Sequence, residues 1–209
     1  MKKILILGDD LTWQWHPLGS LQPLLEMLSR ENFSYNICTK YDSLTDADLA
    51  SYSIILNYVD NWTNRGSHES ELALLSWLEK GGHLISIHNG IIIPEAKELQ
   101  KLHGAAFSHH DPFRTLNFSL TETGKKLFPQ IEAFQLDEEP YEFTFYPNVE
   151  KEIFLEYTRD GEPKTYPAGW HTRAGEGEIW YFCPGHTPVS MANPQLLTMI
   201  LDVLNHITE

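Results

Sequence analysis

The 209-residue chain has only two cysteines, Cys38 and Cys183. So few thiols exclude a disulfide framework, and a reducing, cytoplasmic home is the expectation. Long apolar runs are missing as well. No stretch approaches the roughly 18 consecutive apolar residues of a membrane span. The opening MKKILILGDD carries two lysines, but its apolar run of about five residues ends at Gly8-Asp9-Asp10, so it reads as a first strand and not as a secretory signal. Positive charge is scarce: 15 Lys and Arg face 29 Asp and Glu, a formal charge of -14 with a pI near 5.0. That balance argues against a phosphate-backbone partner. Neither nucleic acid nor a membrane is therefore expected as a partner. Repeats, low-complexity tracts and linker-like Pro/Gly/Ser stretches are also absent, so one domain over residues 1–209 is expected. What the chain does have is 42% hydrophobic and 12% aromatic residues. This is enough for a sizeable core and argues against disorder.

The first half alternates strand and helix signals. Lys3-Ile4-Leu5-Ile6-Leu7 is a continuous apolar run ending at Gly8, as expected of a central parallel strand. Leu18, Leu21, Leu24, Leu25 and Leu28 fall on one helical face. Residues 35–39 and 53–56 read as further strands. Ser67 has the character of an N-cap, and Leu72, Leu75 and Leu78 carry a helix to the stop at Gly81-Gly82. His83-Leu84-Ile85-Ser86-Ile87 is a fourth strand, after which Pro94 is expected to open a helix ending at Gly104. This order predicts a parallel sheet with helices on both faces. Residues 115–183 differ: strand-like segments at 115–120, 142–146, 152–157 and 178–182 predict an added antiparallel portion or β-hairpins. Asn193-Pro194 then caps a closing amphipathic helix built on Leu196, Leu197, Ile200, Val203, Leu204 and Ile207.

In open parallel sheets ligands bind beyond the carboxyl ends of the strands. After the first strand come Gly8, Asp9 and Asp10, then Trp13, Trp15 and His16. Asn57, Tyr58 and Asp60 follow the third strand. His88, Asn89 and Gly90 follow the fourth, and Pro184-Gly185-His186 follows the last. Three histidines, His16, His88 and His186, are thereby predicted on one rim. The stretch from Gly82 to Gly90 has the form of a nucleophile elbow, a strand running into an exposed polar residue with a glycine two positions later. Here that residue is an imidazole, able to act as acid, base or metal ligand. An ordinary strand-end histidine bonded to a loop fits the same local pattern. The cysteines fall on predicted strands and are expected to be inert core thiols. His68, His103 and His206, on predicted helices, are expected at the surface, and His171 is expected to alternate outward from a strand. Trp13, Trp15, Trp62 and Tyr58 suit either loop packing or stacking on a sugar ring.

Seven short segments in order resemble the ThuA-like (trehalose utilisation) proteins of the class I glutamine amidotransferase-like superfamily. The first is the opening strand with Gly8 and the downstream His16. Next come Gly81-Gly82-His83-Leu84-Ile85-Ser86-Ile87-His88 and Gly104-Ala105-Ala106-Phe107-Ser108-His109-His110. Then follow Asp137-Glu138-Glu139-Pro140-Tyr141, Pro167-Ala168-Gly169-Trp170 and Gly175-Glu176-Gly177-Glu178-Ile179-Trp180-Tyr181. Pro184-Gly185-His186 is last. The resemblance spans nearly the whole chain. It implies a flavodoxin-like three-layer α/β sandwich, with a mainly parallel central sheet and added β-hairpins in the second half. In the amidotransferase relatives the elbow residue is a cysteine with a histidine base after the late strand. Here those places hold His88 and His186, and Pro188 stands where the acidic partner would be, so glutaminase chemistry is not expected. The family's phenylalanine-x-x-histidine pattern maps to Phe107 and His110, with His109 the alternative. Its acidic pair maps to Glu138-Glu139 or, with an insertion, to Asp137-Glu138. The usual double glycine before Phe107 is Gly104-Ala105.

These readings imply a protein of carbohydrate metabolism acting on a sugar or keto-sugar, as an isomerase, lyase or hydrolase. His88, His186 and Glu139 are the expected catalytic residues. Gly8, Asp9, His16, Asn57, Asn89, His110, Tyr141 and Trp170 are the expected substrate contacts. A divalent metal such as zinc is a second expectation, with His16, His88, His110, His186 and Glu139 as candidate ligands, although none of them has the short spacing of a recognised metal motif. The alternative is a non-catalytic sugar-binding or regulatory protein on the same fold. Homo-oligomerisation is compatible with the sequence and not required by it.

Overall fold

The computed structural model describes residues 3–9, 15–59, 66–92 and 96–208. Asp10, Trp13, Asp60, Trp62 and the Pro94 helix start lie outside the described residues. In chain order the elements are β1 (Lys3–Gly8), α1 (Gln22–Arg30), β2 (Ser34–Cys38), α2 (Asp46–Leu49), β3 (Ile54–Tyr58) and α3 (His68–Glu79). They continue with β4 (His83–Ile87), α4 (Lys97–Leu102), β5 (Ala105–His110), β6 (Arg114–Leu120), α5 (Glu122–Leu127), β7 (Phe134–Glu138) and β8 (Tyr141–Phe145). The chain closes with β9 (Glu152–Arg159), β10 (Thr165–Ala174), β11 (Gly177–Phe182), α6 (Pro188–Met191) and α7 (Pro194–Thr208).

Nine strands form one sheet in the order β2-β1-β3-β4-β11-β10-β9-β6-β7, and β5 and β8 form a separate two-stranded sheet. Pairing is parallel from β2 to β11 and antiparallel from β11 to β7. The expected hairpins are thus mostly a continuation of the main sheet. The start of the order, 2-1-3-4, is the flavodoxin-like one, with its switch point between β1 and β3.

Strand alternation explains why both faces are covered. Ile4 and Ile6 of β1 join one apolar cluster with α1 and α7 residues, and Leu5 and Leu7 join a second with Ala73, Leu74, Trp77 and Leu78 of α3. Both faces need an apolar partner, so the strand has no polar side. The closing helix buries Leu196, Met199, Ile200, Val203, Leu204 and Ile207, an i, i+3, i+4 stripe. Asn193 caps it, its Oδ1 accepting from the Gln195 and Leu196 amides. Ser67 caps α3 in a reciprocal box with Ser70. Among the described residues no helix is long and apolar enough to cross a membrane.

His103 overturns its surface expectation. It is fully buried. Its Nδ1 donates to the Leu99 carbonyl at 2.8 Å, and its Nε2 accepts from Ser86 Oγ at 2.8 Å. Both ring nitrogens are satisfied in the neutral form that burial favours, and the sequence periodicity of α4 could not show a strand hydroxyl waiting beneath it. Burial pushes its pKa down to about 4, against the opposing pull of the Leu99 hydrogen bond. The unfolded chain protonates this imidazole near 6.5 and the folded chain does not. Its contribution is therefore complete above pH 6.5 and is lost as the pH falls towards 4, up to about 3 kcal/mol in all. Urea unfolding across that window should show stability falling with pH, and His103→Gln should flatten the slope.

Candidate active site

The carboxyl ends of β1, β3, β4 and β11 meet at one rim, and the side chains there converge. His88 is the first residue after β4 and has φ 50, an unusual value for a non-glycine residue. Left-handed backbone at a strand tip turns its side chain back over the sheet end, and such strain is typical of functional turns. Gly90 makes the turn possible: a Cβ there would lie 2.3 Å from the Asn57 carbonyl oxygen. Asn57 is buried, and its Nδ2 donates to the Gly90 carbonyl at 2.8 Å. Asn89 likewise donates to the Val59 carbonyl. Both hold the turn together. Gly8 is a packing position, where a Cβ would meet Leu18 Cδ1 at 2.4 Å. Asp9 is buried at the end of β1.

His88 is fully buried, and its Nδ1–H donates to the Cys183 carbonyl at 2.7 Å. A carbonyl can only accept, so this bond assigns the proton to Nδ1 and leaves the Nε2 lone pair facing the rim. Nε2 lies 3.1 Å from His186 Nδ1 and 3.3 Å from Glu139 Oε2. His186 Nδ1 is 3.3 Å from the same carboxylate oxygen. His16 completes the group, with ring centroids 5.1 Å from His88 and 4.9 Å from His186. One ligand-capable atom from each of His16, His88, Glu139 and His186 lies within 4.8 Å of the other three.

Charge is distributed unevenly over this group. Burial holds the His88 pKa down at about 4, with its hydrogen bond to Glu139 pulling the other way. Burial opposes charge on Glu139, but hydrogen bonds from His186 and His88 outweigh it and hold the carboxyl below the usual range. Burial also opposes charge on His186, and there Glu139 outweighs it and raises the pKa.

Supporting residues keep these groups in place. Glu138, at the end of β7, is fully buried and accepts the Gly185 amide at 2.7 Å and the His186 amide at 3.2 Å. Burial raises its pKa, against those two amides. Gly185 has φ 131, a backbone value that favours glycine. Tyr58 Oη–H is shared between the Gly185 and His186 carbonyls at 2.9 and 3.1 Å, and Tyr181 Oη–H donates to the His88 carbonyl at 2.9 Å. The two acids thus divide the work: Glu139 touches the imidazoles and Glu138 holds the backbone that carries one of them. Glu138 is one of three consecutive acids, and only the folded sheet end shows why it is inside.

A β-bulge gives His109 and His110 different neighbours, although both line the cleft above the cluster. Phe107 pairs with Phe143, His109 with Glu142 and His110 with Tyr141, so two residues of β5 oppose one step of β8. The shift puts Phe107 and His110 on the face of Tyr141. The His110 ring is 5.4 Å from Tyr141, and its Nε2 is 4.0 Å from Glu139 Oε1. His109 approaches Glu142 instead, at 3.7 Å. Tyr141 is buried with its ring 4.3 Å from that of His88. Above the cluster opens a cleft of about 630 Å³ lined in part by Trp15, His16, Phe107, His110, Tyr141 and His186.

Trp170 is not brought to this cleft. It is 1% exposed, its Nε1 donates to the His103 carbonyl at 2.6 Å, and it packs on Phe143, Phe145 and Tyr181. The tryptophan serves the core because its indole N–H finds an internal acceptor. His171 is half-buried, stacked 4.3 Å from Trp180, with its Nε2 3.6 Å from Glu178. Cys183 is buried just past β11, and burial pushes its thiol pKa well above the ordinary value. Cys38 is only partly buried, on the edge strand β2.

The family model described as ThuA, trehalose utilisation, matches residues 3–207. The chain belongs to the ThuA family. None of the curated proteins matches it. Among solved structures, a ThuA-like protein from Bacteroides uniformis ATCC 8492 is similar with TM-score 0.77 at 13% identity, over 99% of this chain and 91% of that one. A ThuA-like protein from Parabacteroides merdae ATCC 43184 gives TM-score 0.75 at 13% identity, over 99% and 90%. A cytoplasmic protein of Salmonella typhimurium LT2 gives TM-score 0.71 at 15% identity, over 98% and 99%. At such identities the likeness is one of fold.

If Glu138 holds the ThuA rim as described, Glu138→Ala leaves two buried amides without an acceptor and should cost about 1–3 kcal/mol. The exposed neighbour change Asp137→Ala should cost under about 0.5 kcal/mol. Chemical denaturation of the two variants checks the difference.

Proposed function

We propose that the chain is an enzyme of sugar metabolism that moves protons on a keto-sugar. The single observation carrying this reading is the contact triangle of His88 Nε2, His186 Nδ1 and Glu139 Oε2, with edges of 3.1, 3.3 and 3.3 Å beneath an open cleft. Family membership supports the sugar, and Trp15, Phe107 and Tyr141 supply apolar ring faces along the cleft. Burial keeps His88 neutral, which suits a base, and Glu139 favours the protonated form of His186, which suits an acid.

In this scheme His88 Nε2 takes a proton from the carbon beside the sugar carbonyl. The C–H electron pair becomes the new C=C bond, the carbonyl π pair moves to oxygen, and the His186 proton goes to that oxygen. From the resulting enediol His186 takes back an O–H proton as a carbonyl re-forms. The His88 proton goes either to the former carbonyl carbon, an isomerisation, or to a group leaving from the next carbon as the C=C bond shifts, an elimination. Glu139 stays ionised and balances the imidazolium. With no exposed, low-pKa thiol at the elbow, a covalent thioester route is not part of the reading.

Incubation with keto-disaccharides, followed by NMR in deuterated water, tests it. Turnover with deuterium uptake beside the carbonyl is the expected result. His88→Gln and Glu139→Gln should each lower kcat by at least about 100-fold. Saturable sugar binding with no turnover would instead make the chain a binding protein.

A further inference from the structure

We infer that His16, His88, His186 and Glu139 form a mononuclear centre for a divalent first-row metal ion of the zinc class, one ion per chain. The inference rests on the preceding reading only in taking this rim as the functional site. An ion on His88 Nε2 takes the lone pair that the proton-transfer scheme uses, so in the metal-loaded chain His88 would be a ligand and not the base.

The spacing of the ligand-capable atoms matches that of a metal coordination polyhedron. A tetrahedral ion with bonds of 2.0–2.1 Å spaces its ligands roughly 3.3–3.4 Å apart. The three atoms His88 Nε2, His186 Nδ1 and Glu139 Oε2 lie 3.1, 3.3 and 3.3 Å apart, one face of such a tetrahedron. His16 stands over that face, its ring about as far from His88 as from His186. All four ligand-capable atoms fall within 4.8 Å of one another.

Proton counting points the same way. The proton of His88 is on Nδ1, committed to the Cys183 carbonyl. Its Nε2 is therefore a lone pair set 3.3 Å from a carboxylate oxygen, which has only lone pairs to offer. One proton from His186 can serve either acceptor but not both. A second proton on His88 would make a cation at a fully buried ring. A metal ion on the rim satisfies every lone pair at once. The carbonyl on the far nitrogen of His88 is also the usual outer partner of a metal-bound imidazole, fixing its tautomer and orientation. Three imidazoles and a carboxylate are a borderline donor set that suits zinc better than magnesium or calcium. The ion would supply Lewis-acid polarisation of a sugar oxygen in the cleft.

The test uses the full chain purified without a histidine tag. After dialysis against zinc, elemental analysis should find about one ion per chain, and cobalt(II) should give a visible tetrahedral absorption band. His16→Gln and His186→Gln, each checked for folding by circular dichroism, should weaken zinc binding at least about tenfold. Glu139→Gln provides a third variant if either of these fails to fold. His206→Ala, on the exposed side of α7, should leave affinity unchanged. Sub-stoichiometric zinc with no cobalt band overturns the centre, as does zinc that these variants do not disturb. Keto-sugar turnover by a chain that takes up no zinc removes the centre and leaves the sugar reading standing. Tight zinc binding with no keto-sugar turned over does the reverse.

Discussion

The hydrogen bond from His88 Nδ1 to the Cys183 carbonyl joins the tips of two adjacent parallel strands and decides what the rim can do. It closes the end of β4 onto the end of β11, fixes one tautomer, and points the second ring nitrogen at His186 and Glu139. Without it the imidazole could rotate or carry its proton on the wrong side, and the same four residues would hold no defined geometry. The bond needs two strands to stop in register, and Ile87 paired with Phe182 ensures that they do.

Everything around this bond is arranged to keep backbone, more than side chain, in place. Tyr181 holds the His88 carbonyl, Tyr58 the carbonyls of Gly185 and His186, and Glu138 the amides of the same pair. Arg159 ties together the strands that carry Phe107 and Tyr141. It is 5% exposed, bonds to Asp111 and Glu142 at 3.0 and 2.7 Å, and so ties the β5–β6 loop to β8. The loop connecting β7 to β8 carries Glu139 into the cluster between these two anchors. A reacting group held this way loses little entropy when substrate arrives.

The buried Cys183 shows how one fold can change its chemistry. The thiol sits beside the rim but is buried with a raised pKa, and only its carbonyl takes part. The elbow position instead carries a ring that can pass protons or hold an ion. In the proposed reading an imidazole takes the strand-tip place, and fold likeness by itself says little about the reaction.

Much of the architecture was legible in the residues. Apolar runs ending in Gly8 and at His88 marked β1 and β4, because strands covered on both faces must be apolar throughout. Ser67 and Asn193 marked helix starts, because unpaired amides need a side-chain acceptor. The ordered motifs marked His16, His88, Glu139 and His186 as candidates. Three things could be decided only by tertiary structure. The bulge in β5 sets His110 beside Glu139 and His109 beside Glu142, and pairing register is not written in one strand. Trp170 and His103 turn inward because each finds a buried partner on another element. Glu138 and Glu139 divide their roles because the backbone amides after β11 meet one and the rings of His88 and His186 meet the other. Local sequence sets what a residue can bond to, and the long-range packing of strand ends sets which of those bonds it makes.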